Sequence, residues 1–212
     1  MITLYAWPTP NGQKLFLMLE ELGEPYKTHF VHIGRDEQFD PAFLAISPNN
    51  KIPAIVDDAA DGGPLAMFES GAILTYLADK AGRFLAPTGA ARWQAMQWLH
   101  WQIGGLGPML GQLGFYGLRS EEKASLPIRR FSEEATRLIG VLNRRLGEAR
   151  FLAGDDYSIA DIAIYPWMKA ASANFVPLIG EALAASSNVA RWLDEVGARP
   201  AVIAAMAIKP PA

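Results

Sequence analysis

An α/β domain followed by an all-helical one is the fold class this 212-residue sequence predicts, and three observations predict it. Strand-like and helix-like periodicities alternate in the order β-α-β-α-β-β-α over the first 82 or so residues. Residues 82–91, GRFLAPTGAA, have the composition of a linker. From Arg92 onward helical spacing persists and no strand pattern appears, so the predicted division is 1–84 and 85–212.

Ile2, Leu4 and Ala6 alternate with Thr3, Tyr5 and Trp7, which suits a short strand stopped by the turn Pro8 to Gly12. Leu15, Phe16, Met18, Leu19 and Leu22 then recur at helical spacing, with Asn11 as the expected N-cap and Gly23 as the terminator. A second strand is expected at Tyr26 to Val31, in parallel pairing with the first, and Asp40-Pro41 as the cap and first residue of a short helical turn. Lys51 to Asp57 reads as a strand, Asp61-Gly62-Gly63 as a hairpin turn and Leu65 to Phe68 as the returning strand. Ser70 is the expected cap of a helix carrying Ile73, Leu74, Tyr76 and Leu77 and ended by Gly82. Helical stretches are expected at 92–117, 127–149, 159–173 and 187–196.

Half of the residues are hydrophobic, so a sizeable core is available. The net charge of −3 comes from 19 basic and 22 acidic residues dispersed along the chain, unlike the basic footprint of a nucleic-acid binder. No charged n-region precedes an apolar stretch at the start, and no apolar run approaches the roughly 20 residues that span a bilayer. The expected location is cytoplasmic, with no membrane association. Cysteine is absent, which excludes disulfides, thiolate metal sites and covalent chemistry on an enzyme thiol. Any thiol chemistry here belongs to the ligand. His29, His32 and His100 are too scattered for a metal site. Trp93, Trp98 and Trp101 share one helix and read as core or interface before cleft lining.

Two segments carry chemistry. Pro53 stands at the head of a strand, where it donates no ladder hydrogen bond, and a cis Ile52-Pro53 bond would accommodate it. The backbone of Ile52 would then be presented to an extended peptide; a plain structural turn is the alternative. Glu69-Ser70 opens a helix whose unpaired N–H groups and dipole favour an anion. A hydroxyl with that helix end suits a carboxylate, and Glu69 suits a cationic amine, against the alternative of an ordinary cap.

Ser47-Pro48-Asn49-Asn50-Lys51-Ile52-Pro53-Ala54 and Phe68-Glu69-Ser70-Gly71-Ala72-Ile73 together resemble the thioredoxin-like half of the cytosolic glutathione transferases. Tyr157-Ser158-Ile159-Ala160-Asp161-Ile162-Ala163 is similar to that family's helical-domain signature, with Ser158 and Asp161 spaced as a capping box. Thr9 to Gly12 and Gln102 to Gln112 narrow the resemblance to the bacterial Nu class and the related fungal nitrogen regulators.

The resemblance implies glutathione as cosubstrate, no metal, and reduction of disulfides and organic peroxides, with glutathione disulfide and a small hydrophobic or disulfide cosubstrate as further ligands. It implies Asn11 and Thr9 on the glutathione sulfur. Glutathione would be held by Gln38 at the glycine end, Lys51 on the glycine carboxylate, Ile52 and Pro53, Glu69 and Ser70, and Arg130, with Arg129 as the competing arginine. A homodimer is implied, with Gln102 a contact to the partner's ligand. Tyr5 is the one phenol near the first turn and competes with Asn11 for the sulfur, although its place inside a strand favours packing. A conjugating transferase and a non-catalytic glutathione-binding regulator are the other functions that this fold admits.

Overall fold

The computed structural model describes residues 1–211, which fall into two compact units: Met1–Arg83 together with the chain from Arg199 onward, and Phe84–Ala198. In the first unit, β1 (Ile2–Ala6), β2 (Tyr26–Phe30), β3 (Ala54–Asp57) and β4 (Leu65–Phe68) form one mixed sheet in the order β2-β1-β3-β4. Strand β1 pairs parallel with β2 and antiparallel with β3, and β3 pairs antiparallel with β4. The expected alternation holds in β1, where Ile2, Leu4 and Ala6 are buried.

The helices of this unit are α1 (Pro10–Leu22), α2 (Pro41–Leu44) and α3 (Ser70–Ala81), joined by α10 (Pro200–Ala207) from the end of the chain. Leu4 and its cross-strand partner Ile55 are fully buried, as are the apolar residues Leu15 to Leu19 of α1. On the other face of the sheet Tyr5 packs with Val31, Phe43 and Ala54. Helix α1 is buried on all sides in its middle because α3 and α10 both pack on it. Arg199 fixes the entry to α10 through a two-pronged pair with Glu21, at 2.5 and 2.9 Å. This return was absent from the sequence reading, which placed the whole chain beyond residue 85 in the helical part.

Two caps differ from expectation, by two residues at α1 and by one at α3. Thr9 caps α1, its Oγ1 accepting from the Gly12 N–H at 3.4 Å, because Pro10 is preorganised for the first helical position and needs no donor satisfied there. Asn11 therefore lies inside the first turn. Glu69 takes the cap position of α3 with φ 72°, and Ser70 is the first helical residue. Gly23 and Gly82 end α1 and α3 in the left-handed region, as expected.

The second unit is helical: α4 (Gly89–Trp101), α5 (Gly107–Gly114), α6 (Ser125–Glu148), α7 (Ile159–Asn174), α8 (Val176–Ala184) and α9 (Ser187–Gly197). The stretch expected as one helix over 92–117 is interrupted by a π turn at Gln102–Leu106 and followed by another at Phe115–Arg119. Small residues accompany the first interruption: a Cβ on Gly107 would meet the Gln102 amide at 2.4 Å. Helix α7 starts with the expected capping box of Ser158 and Asp161 and is buried along most of its length.

Candidate active site

The turn from β1 into α1 brings Asn11 to one wall of a pocket of about 150 Å³ in the first unit. Gly12 permits that turn: a Cβ there would lie 2.0 Å from the Trp7 carbonyl oxygen. Asn11 is part-buried in the first helical turn, where backbone donors have no intrahelical acceptor.

The loop before β3 supplies Asn49, Lys51, Ile52 and Pro53 to the same pocket, and the Ile52-Pro53 peptide is cis. Buried Ser47 holds the loop, its hydroxyl donating to the Lys51 carbonyl at 2.9 Å. Ile52 stands ahead of the ladder, which begins at Ala54, so its N–H and C=O lie outside strand pairing. The Lys51 side chain is exposed.

Phe68, Glu69 and Ser70 complete the lining. The positive φ of Glu69 turns the chain from β4 into α3 and leaves the first N–H groups of α3 at the pocket. The site thus sets helix-end donors, a hydroxyl and a carboxylate against an amide side chain. Such a set suits a zwitterionic peptide.

Sequence reasoning missed Lys14. It is 1 % exposed and donates from Nζ to the Ser70 hydroxyl at 3.1 Å. Burial lowers its pKa to about 7, against the upward pull of Glu69. The available signal was a cation inside an apolar helix pattern, which marks an unusual residue but not its partner.

The other expected residues lie elsewhere. Thr9 caps α1 beside Asn11 and is not among the lining residues. Gln38 sits in a 3₁₀ turn, its Nε2 donating to Asp36 at 3.3 Å while Oε1 is buried without a partner. Gln102 and Arg130 belong to the second unit. Gln102 is buried in its own chain, 1 % exposed, and Arg130 is exposed on α6 at 3.9 Å from Glu134. Tyr5 is engaged with the His29 and Phe43 rings, at 5.1 and 6.3 Å. Among the described residues no group of three or more acidic, histidine or cysteine side chains could hold a metal ion, and no helix is long and apolar enough to cross a membrane.

Comparison with known proteins gives this arrangement its context. Residues 9–80 match the glutathione S-transferase N-terminal domain and residues 127–195 the glutathione S-transferase C-terminal domain. The chain is 48% identical over 203 residues to the disulfide-bond oxidoreductase YfcG of Escherichia coli, covering 95% of this chain and 92% of that protein. Among solved structures, a glutathione transferase family member from Pseudomonas fluorescens with two glutathione bound is 48% identical, with a TM-score of 0.90 over 97% of this chain and 92% of that one. A glutathione transferase from Pseudomonas putida with one glutathione disulfide per subunit is 43% identical, with a TM-score of 0.93 over 99% and 92% of the two chains. With both family domains present in order and such identity across nearly its whole length, the chain belongs to the glutathione S-transferase family.

Proposed function

We propose that the chain is a glutathione-dependent disulfide reductase that also reduces organic peroxides. The observation that carries the reading is the convergence of Asn11, Ile52, Glu69 and Ser70 on one pocket. The name of the Escherichia coli relative and the glutathione disulfide in the Pseudomonas putida structure support it.

The γ-glutamyl amine pairs with Glu69, its carboxylate with Ser70 and the α3 N-terminus, and the cysteinyl backbone with Ile52 beside Pro53. Lys51 takes the glycine carboxylate. A cysteine-like thiol has a pKa of about 8.5, so lowering it by ~2 units asks ~2.7 kcal/mol of the surrounding donors. Asn11, with Thr9 and the first N–H groups of α1, supplies that stabilisation.

The thiolate attacks one sulfur of a disulfide, forming a mixed disulfide and expelling the other sulfur, which takes up a proton. A second glutathione thiolate attacks the glutathione sulfur of that intermediate. Two glutathione molecules become glutathione disulfide, and one disulfide becomes two thiols. With no cysteine in the chain, every reacting sulfur is a ligand's.

Gln38 at the glycine end of the peptide is part of this proposal. A cytoplasmic location and a homodimer belong to the same proposal. The experiment measures glutathione-dependent reduction of a model disulfide beside conjugation of a model aryl halide and binding of glutathione disulfide. Disulfide turnover well above conjugation supports the reading; binding without either turnover makes the protein a regulator and overturns it.

A further inference from the structure

Lys14 is a buried cation that the proposed chemistry does not use. Lys14 lies in the fully buried part of α1, where lysine is rarely found unless it is paired or functional. Its Nζ reaches Ser70 Oγ at 3.1 Å, and Ser70 lines the pocket beside Glu69. We propose that Lys14 is a positioning residue for an anionic group of the ligand: its ammonium, acting through Ser70, turns the Ser70 hydroxyl into a donor toward a carboxylate in the pocket.

An ammonium has three donors and no acceptor, so the Ser70 hydroxyl facing it accepts and keeps its own hydrogen for the pocket. A neutral amine can accept that hydrogen and withdraw it. The charged form also places a cation behind the Glu69–Ser70 edge, where low polarity strengthens its attraction for an anion.

Glu69 is the anion that acts on Lys14, and Lys51 lines the same pocket. Helix α10 carries no titratable side chain, and α3 carries Tyr76, Asp79 and Lys80 toward its far end, with Tyr76 and Lys80 bonded to Asp57. On α1 itself Glu20 bonds Tyr26 and Glu21 bonds Arg199. Burial has already brought Lys14 to about 7, so an arriving carboxylate raises it and draws a proton onto the amine.

This inference rests on the reading of the pocket as a glutathione site. The probe is S-methylglutathione, whose blocked thiol releases no proton. Calorimetric titration in two buffers of different ionisation enthalpy, at about pH 6 and about pH 8, reads proton uptake on binding. The wild type should take up little at the lower pH and up to about one proton at the higher. Lys14→Met should abolish that difference and weaken binding by about tenfold at the lower pH, with a smaller loss at the higher. If Lys14→Met fails to fold, Lys14→Gln makes the same comparison. Binding whose uptake does not change with pH, or changes equally in the variants, overturns this inference alone. Failure of the wild type to bind S-methylglutathione overturns the reading of the pocket together with it.

Discussion

Trp192 donates its indole N–H to Asp161 Oδ1 across 2.9 Å, tying α9 to the first turn of α7 in the interior of the helical unit. The same carboxylate accepts from the Leu152 N–H at 3.1 Å, the Ser158 N–H at 3.0 Å and the Ser158 hydroxyl at 3.1 Å. Asp161→Ala leaves these donors buried without an acceptor, at about 1–3 kcal/mol for each one not rescued by water. The expected loss is about 3 kcal/mol or more, read by urea unfolding of the variant against wild type. A loss below about 1 kcal/mol would mean that the cluster is incidental to stability.

Asp57 is the matching polar anchor of the first unit. Burial alone would raise its pKa, but hydrogen bonds from Lys80, Tyr76 and the Ala59 N–H outweigh that and hold it at about 2. A depressed folded-state pKa contributes stability above the unfolded value of about 3.9 and loses it as pH falls through the folded one. Asp57→Asn should therefore be least stable relative to wild type near neutral pH, and the gap should close between about pH 4 and about pH 2. Urea midpoints of both proteins across that window check it. A gap that persists unchanged would assign the effect to packing instead of charge.

Glu69 occupies φ 72°, a region that costs a residue with a side chain about 1–3 kcal/mol and collects at functional sites. Glu69→Gly relieves that strain, so the unfolding free energy should hold or rise while glutathione affinity drops by about tenfold or more. Ser70→Ala should weaken binding to a similar degree without unfolding the protein. Calorimetry with a thermal melt on each variant separates the outcomes. If Glu69→Gly loses stability and keeps its affinity, the residue serves the fold and not the ligand.

Much of the fold was legible because its elements carried local signals: alternation in β1, glycine after α1 and α3, and the capping box at Ser158 and Asp161. What escaped was set by distance. The packing of α10 on α1 depends on residues far apart in the chain, and the apolar run from Pro200 to Ala207 carries no mark of its destination. Cap positions slipped by two residues at Thr9 and by one at Glu69 because a proline and a positive φ, both backbone matters, decided them. Lys14 was invisible as a site residue for the same reason as α10. Its partner Ser70 is 56 positions away.

The sulfur end of the pocket gives the sharpest test of mechanism. Asn11 lines the pocket from the first turn of α1, whereas Tyr5 spends its ring on His29, Phe43 and the cluster of Val31 and Ala54. A preorganised donor to a developing anion is worth about 2.7–4 kcal/mol in favourable cases. Asn11 shares the work with Thr9 and backbone N–H groups, so Asn11→Ala should lower disulfide-reductase kcat by about ten- to a hundredfold. Affinity for glutathione should fall much less, because the group being stabilised is the thiolate and not the peptide. Tyr5→Phe should leave turnover nearly unchanged. Steady-state kinetics on both variants, with a thermal melt to exclude loss of the first helical turn, reads the difference. Abolition of activity by Tyr5→Phe together with wild-type behaviour of Asn11→Ala would assign the thiolate to a hydroxyl and overturn the role of Asn11.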